Sequence, residues 1–459
     1  MSEHTKRELS LTGLFAAFLF LQFTVLALGN RAGEGLLSTE GREQVYYALQ
    51  VFVILGFLFH AAAEALIRPA QARRAAGIAV LSVFAVGTAV MLAADRGTRF
   101  YLAATAAVML CLGCLGGAVY QRMSRETAAG AATARCMGLG YAAATALQYL
   151  LQLQWGSTPL LPVFQLAALV LLAYALLRRP EQRAAQQPEP AQPRRLAFAC
   201  LIATALLLFT SFYNDYIHHL QIQTAYTDYN VYSWPRLMLI PCYLLFAVIG
   251  DRRQGKLVPV AALCIVLVTM LNSVLTGSRG TYRLNMCLFY CAIAASVSYY
   301  NLTFWRLAQG TRRPALWASM GRVLDSAMVL LTGAVNLSSL PSAAVLAINV
   351  AGLAAIILLM AIGGDFSLAV PPAPEIIASA PPRSAEDAIE RMRERYALTR
   401  READVLRELV LTEDKQTVIG ERLSIRPRTV QSHVTVLYQK TGTSTRSGLT
   451  DLYRDVASE

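Results

Sequence analysis

Charge is scarce in this sequence. Only 15% of the 459 residues are Asp, Glu, Lys or Arg, whereas a soluble domain usually carries ~25%. Hydrophobic residues make up 55% and the mean hydropathy is +0.44, which excludes a chain disordered over most of its length. Cysteine is also sparse. All 8 lie inside apolar runs (Cys111, Cys114, Cys136, Cys200, Cys242, Cys264, Cys287 and Cys291), which excludes a secreted disulfide scaffold. There is no Walker loop, dinucleotide fingerprint or nucleophile elbow, and no His/Cys/Asp cluster has metal-ligand spacing. The sequence therefore predicts no enzyme, no cofactor and no metal. What remains is a polytopic membrane protein with a soluble appendage. The net charge of +12 raises nucleic acid as a partner, but where that charge sits decides the matter.

Twelve apolar runs approach the ~20 residues a bilayer crossing needs. They cover 11–29, 44–67, 75–94, 100–120, 131–152, 158–177, 196–217, 236–250, 257–276, 284–305, 316–335 and 343–363. The eighth is short and carries Pro241, and the eleventh contains Arg322 and Asp325. The first run is too long for a signal peptide and is followed by further spans.

Basic residues in the connecting loops set the orientation. One side holds 19 of them, from Lys6 and Arg7 through Arg68, Arg122 and Arg178 to Arg313; the other holds seven, including Arg31, Arg96 and Arg283. This predicts a cytoplasmic N-terminus and, with an even span count, a cytoplasmic C-terminus, in the cell (inner) membrane. Much of the +12 is thus topological. The longest, most polar inner loop, 178–195, divides the spans six and six.

The loop between spans eight and nine reads Gly250-Asp251-Arg252-Arg253-Gln254-Gly255-Lys256, and that between spans two and three Arg68-Pro69-Ala70-Gln71-Ala72-Arg73-Arg74. The first of these resembles a loop motif of the major facilitator superfamily with one residue inserted. The other copy has lost its Gly and Asp. The resemblance implies a small-molecule site near the midplane, between the two halves.

Polar residues inside spans are candidate ligand residues because burying them is costly. His60 and Glu64 share one face at i, i+4; Glu64 also fits an interfacial carboxylate. Arg322 and Asp325 stand at i, i+3, either as an ion pair easing insertion or as a ligand clamp. Asn214 and Asp215 open an outer loop, 218–235, rich in Tyr and Trp, either an interfacial aromatic belt or a cap over a cavity. Gln148, Gln152, Gln154, Gln165 and Asn272 read as helix-packing glue. Cys111-x-x-Cys114 has redox spacing, but beside Gly113, Gly116 and Gly117 it reads as close helix packing.

Beyond Gly364 the composition changes. Residues 365–383 hold five Pro in 19, a semi-extended tether of roughly 3 Å per residue. Helix signals then follow closely: a start at Ser384–Asp387 with an apolar stripe through Ile389, Met392 and Tyr396; a capping box at Thr399–Glu402 with Val405, Leu406 and Leu409 inward; a helix over 415–423 with Val418, Ile419 and Leu423 inward; a helix from Pro427 to Lys440 with Val430, Val434 and Leu437 inward; and a last helix over 444–456 with Leu449 and Leu452 inward. The last four of these short helices, with a tight turn between the second and third of the four, make a helix-turn-helix unit.

Leu398-Thr399-x-Arg401-Glu402-x-x-Val405-Leu406, then Ile419-x-x-x-Leu423-x-Ile425, Thr429-Val430-x-x-His433, Lys440 and Arg446 resemble the LuxR-type DNA-binding domain over 396–456. The resemblance implies a third helix entering the major groove of double-stranded DNA, usually as a homodimer. It places Gln431, Ser432 and Thr435 toward bases, and Arg428, Thr429, Lys440 and Arg446 near phosphates. His433 reads as structural. Arg422, Arg426, Arg428, Lys440 and Arg446 occur without an intervening acid, while 396–456 as a whole has ten basic and eight acidic residues. Positive charge is thus concentrated on the recognition element, as phosphate contact requires. Departures from the family pattern are Glu413 for Gly, Gly420 for Ala, Arg426 for a Ser cap, Gln431 for Lys, and Thr441 and Thr443 for apolar residues.

The expectation is an all-α chain: a polytopic twelve-helix transmembrane bundle (6+6) over 1–364, a Pro-rich linker over 365–383, and a four-helix helix-turn-helix domain over 384–459. Its expected function is a membrane-bound one-component transcription regulator, sensing an unknown small-molecule ligand in or across the lipid bilayer. The alternative is a major-facilitator-like transporter with an appended regulatory tail.

Overall fold

The computed structural model describes residues 3–29, 32, 37–155, 160–177, 193–223, 233–255, 257–273, 279–335, 341–363, 385–412, 414 and 416–458. The chain divides into two compact units, Met1–Ala373 and Pro374–Glu459. Among the described residues there is no strand. The 365–383 linker, Ser384, Glu413 and residues 178–192 and 224–232 of the two long loops lie outside the described residues.

The first unit contains α1 (Glu3–Gly29), α2 (Thr39–Leu66), α3 (Ala70–Ala93), α4 (Arg99–Ala128), α5 (Thr133–Trp155), α6 (Leu160–Leu177), α7 (Pro193–Gln223), α8 (Leu239–Asp251), α9 (Val258–Ser273), α10 (Arg279–Ala308), α11 (Pro314–Val335) and α12 (Ser342–Gly363). Each overlaps one of the twelve apolar runs. Among the described residues, seven segments are long and apolar enough to cross a membrane: Thr5–Gly29, Gln44–Leu66, Ala70–Ala93, Arg99–Ala128, Pro193–Tyr213, Trp234–Asp251 and Arg283–Ala308. Leu161–Leu177 and Val258–Met270 are shorter apolar helices. Arg322 and Asp325 lower the mean hydropathy of α11. The eighth run is a short 3-10 turn, Trp234–Met238, running into α8.

Local chemistry fixes the helix starts. The Ser38 hydroxyl accepts the Gly41 N–H (3.1 Å) before α2, and Thr98 accepts that of Tyr101 (3.2 Å) before α4, each satisfying a first-turn donor. The loop between α8 and α9 acts across the bundle. Asp251 accepts the N–H groups of Ala134 (3.1 Å) and Arg135 (2.8 Å) at the start of α5. Arg306 donates to the Gly250 carbonyl at 2.8 Å.

Packing respects the six-and-six division. Across the halves α5 packs on α8 and α2 on α11; adding six to 5 and 2 turns each pair into the other, the mark of a two-fold repeat. Small residues permit the tightest crossings. A Cβ on Gly56 of α2 would lie 2.8 Å from the Gly113 Cα of α4, so the stretch around Cys111 and Cys114 is a close helix contact. The core is aromatic: Phe15 meets Trp305 edge-on (5.5 Å), and Tyr141 stacks on Tyr243 (4.1 Å).

The second unit comprises α13 (Ala385–Arg395), α14 (Arg400–Leu411), α15 (Gln416–Arg422), α16 (Pro427–Thr441) and α17 (Arg446–Ser458). Its own core joins Met392, Leu406, Ile419, Val430, Leu437 and Leu449, all fully buried. Val418 does not point inward as the sequence suggested: it is 40% exposed. A seven-residue helix has one narrow buried edge, and Ile419 and Gly420 occupy it.

Candidate functional site

In the second unit the candidate site is one face of α16. Thr399 and Glu402 form a reciprocal capping box that starts α14, setting the scaffold. Between α15 and α16 the chain reverses with Ser424 in the left-handed region (φ 55°), while Ile425 donates to the Gly420 carbonyl at 2.9 Å. A Cβ on residue 420 would sit 2.8 Å from the Ile425 carbonyl oxygen, so Gly420 lets the turn approach α15. Pro427 opens α16, where its missing N–H costs nothing, and Arg426 gives no side-chain cap.

Burying Val430, Val434 and Leu437 turns the other side of α16 outward. Arg428, Thr429, Gln431, Ser432 and Thr435 are all exposed there, brought together at helical spacing. The Thr435 hydroxyl donates back to the Gln431 carbonyl at 3.0 Å. His433 is half-buried.

Three further basic residues bond within the unit. Lys440 Nζ donates to the Glu402 carboxylate (2.8 Å) and to the Ala397 carbonyl (3.0 Å). Arg446 donates to the carbonyls of Leu409, Asp414 and Thr412, closing the C-terminal end of α14, whose last carbonyls lack helical partners. Arg422 bridges Glu408 and Asp414. Lys440, itself exposed, and half-buried Arg446, both expected near phosphates, thus also hold the scaffold of α16. Arg426 and Arg428 remain exposed at its start. Burial opposes ionisation of Glu402, but hydrogen bonds from Lys440 and the Thr399 backbone outweigh it and hold the carboxyl below its usual range.

The first unit holds two polar clusters. At one, His60 Nε2 and Gln121 Oε1 are 3.0 Å apart, and Gln121 Nε2 donates to Glu64 at 3.0 Å. Glu64 also pairs with Arg125 (3.3 Å) and Arg73 (3.7 Å). This ties together the ends of α2, α3 and α4, the geometry of an interfacial clamp. At the other, Arg322 pairs with Asp325 and donates to the Tyr300 hydroxyl at 3.3 Å. Arg322 also lines a narrow cavity with Phe18, Gln22, Gln50, Phe57 and Leu112. His60 and Glu64 do not line it, and the Asp215 side chain lies outside the described residues. Gln22 and Gln50 escaped the sequence reading, because a lone Gln in an apolar helix carries no signal beyond its polarity. Among the described residues no group of three or more His, Cys, Asp or Glu could hold a metal ion.

Comparisons with known proteins agree with both units. Residues 396–453 match the family model "Bacterial regulatory proteins, luxR family", and they form a LuxR-type helix-turn-helix domain, which implies DNA binding. The human organic anion transporter MFSD10 superposes with a TM-score of 0.58 at 15% identity, covering 79% of this chain and 100% of that one. That likeness shows the fold: the first unit has a major-facilitator-like transmembrane architecture, and the chain is a multi-pass membrane protein. A bacterial homologue of the iron transporter ferroportin, in an outward-facing state, aligns with a TM-score of 0.44 at 13% identity, over 80% of this chain and 100% of that one. No curated protein sequence matches.

Proposed function

We propose that this chain, a LuxR-type helix-turn-helix joined to a major-facilitator-like membrane unit, is a membrane-bound one-component transcription regulator. Its domains are 1–364, a linker over 365–383 and 384–459. The membrane unit crosses the cytoplasmic membrane twelve times, keeps both termini in the cytoplasm and senses a small molecule. The tail docks α16 in the major groove of double-stranded DNA as a homodimer. Gln431, Ser432 and Thr435 face base edges, and Arg428 and Thr429 face phosphates. Gln431 has the geometry to pair bidentately with adenine.

One observation carries the reading: the residues that resemblance assigns to bases are exposed together on α16, while Lys440 and Glu402 brace that helix from behind. The test uses the full-length chain in lipid nanodiscs and a pool of fragmented genomic DNA. Recovery of discrete sequences, lost in the Gln431→Ala/Ser432→Ala double variant, is the expected result. Equal recovery of all sequences by both proteins would refute specific reading by this face.

A further inference from the structure

The turn between α2 and α3 gathers positive charge beside exposed apolar side chains. It carries Arg68, Arg73 and Arg74, and Arg125 near the end of α4 joins them through Glu64. Four cations thus share one carboxylate. Glu64 holds two of them, Arg125 at 3.3 Å and Arg73 at 3.7 Å. Glu126, the next acid along α4, is taken by Arg7. Arg68 and Arg74 are exposed, and among the described residues neither side chain has an ion-pair or hydrogen-bond partner.

Apolar surface continues from that charge. Leu66, two residues before Arg68, is 80% exposed. On α3, Arg74 is followed at steps of four by Ile78, Ser82 and Val86, all exposed, which puts them on one face. The opposite face, with Leu81, Phe84, Thr88 and Met91, is buried. A free cation therefore heads a largely apolar strip along a helix long and apolar enough to cross a membrane. Orientation in the bilayer requires only basic residues on this side of the bundle. The turn between α10 and α11 meets that need with Arg312 and Arg313, both exposed. Among the described residues no exposed large hydrophobic flanks that pair.

The combination at the α2–α3 turn matches one partner chemistry. A phosphodiester accepts paired hydrogen bonds from guanidinium groups, and each arginine close to an anionic leaflet adds attraction. A zwitterionic headgroup brings its own cation to the arginines and offsets that gain. A free inorganic anion would leave Leu66 and the strip on α3 uncovered. We infer that the turn between α2 and α3 binds an anionic phospholipid, its phosphate on Arg68 and Arg74 and an acyl chain along Ile78 and Val86. This site is separate from the DNA-reading face and does not depend on it.

The test melts the full-length chain in an uncharged maltoside detergent doped with phosphatidylglycerol, with phosphatidylcholine of the same acyl chains, or with inorganic phosphate alone. Phosphatidylglycerol should raise the unfolding midpoint, saturably, by about 2 °C more than phosphatidylcholine. Inorganic phosphate should give no rise. Arg68→Gln/Arg74→Gln should melt like the native chain in phosphatidylcholine and lose the extra rise. Arg312→Gln/Arg313→Gln should keep it. Equal rises with the two lipids would overturn the inference, as would a rise with inorganic phosphate alone, which would mark a free-anion site. So would an extra rise that survives in the Arg68/Arg74 variant, or one that is lost equally in the Arg312/Arg313 variant, which would mark diffuse attraction to the whole basic face.

Discussion

The ammonium of Lys440, in the last turn of α16, donates to the carboxylate of Glu402, in the first turn of α14, across 2.8 Å. Glu402 also accepts the Thr399 N–H at 2.7 Å. One carboxylate thus caps α14 and anchors α16. A charge that the sequence pattern offers to DNA also holds the end of α16 on the start of α14.

Replacing Lys440 with Met should therefore lower the stability of the second unit by roughly 1.5 kcal/mol, the low end for a hydrogen bond to a charged group, since Lys440 is about a third exposed. Denaturant melts of the unit should show this. The slope of DNA affinity against salt should stay unchanged, because Glu402 and the Ala397 carbonyl hold the ammonium. A slope reduced by about one would return Lys440 to the phosphates.

Acid should loosen the same bond. Glu402 has a lowered folded pKa against an ordinary glutamate near ~4.3. Its contribution is present above the ordinary value and lost as pH falls through the lowered one. Stability measured from pH 7 down to pH 3 should fall less steeply in Glu402→Gln, which is weaker at neutral pH. Parallel curves would contradict the linkage.

Arg428 should behave oppositely to Lys440. Arg428→Ala should leave stability within about 0.5 kcal/mol, as exposed substitutions do. It should weaken binding to all DNA sequences alike and reduce the salt slope by about one. Gln431→Ala should instead relax discrimination at one base pair, by about 1–3 kcal/mol.

Gly420→Ala tests the turn. LuxR-type domains usually carry Ala here, but in this chain the added methyl would meet the Ile425 carbonyl oxygen at 2.8 Å. The turn has tightened onto glycine, so the variant should cost about 1–3 kcal/mol, read from denaturant midpoints. A neutral or stabilising result would show that the turn gives way freely.

The parts of this structure legible in the sequence are those with local causes. Long apolar runs fix where helices lie, and Thr399 with Glu402 announces a helix start that the structure shows bond for bond. What stayed hidden depends on distant partners. Arg446 finds the Leu409 carbonyl 37 residues away, and Arg422 finds Glu408 14 residues away; no spacing rule foretells either. Val418 misled because it neighbours Ile419 on a helix too short to bury both. Asp251 did stand in a motif, but its work, holding the start of α5, is visible only once the bundle closes. Gln22 and Gln50 line one narrow void beside Arg322 only once four helices close around it.

The most direct test of the central claim is a genome-wide map of the sites bound by the full-length chain in its native cells, beside the Gln431→Ala/Ser432→Ala variant. The account predicts discrete sites for the native chain, recovered with the membrane fraction and absent for the variant. No discrete sites under any growth condition, or the same sites in both, would contradict a membrane-held regulator reading DNA through α16.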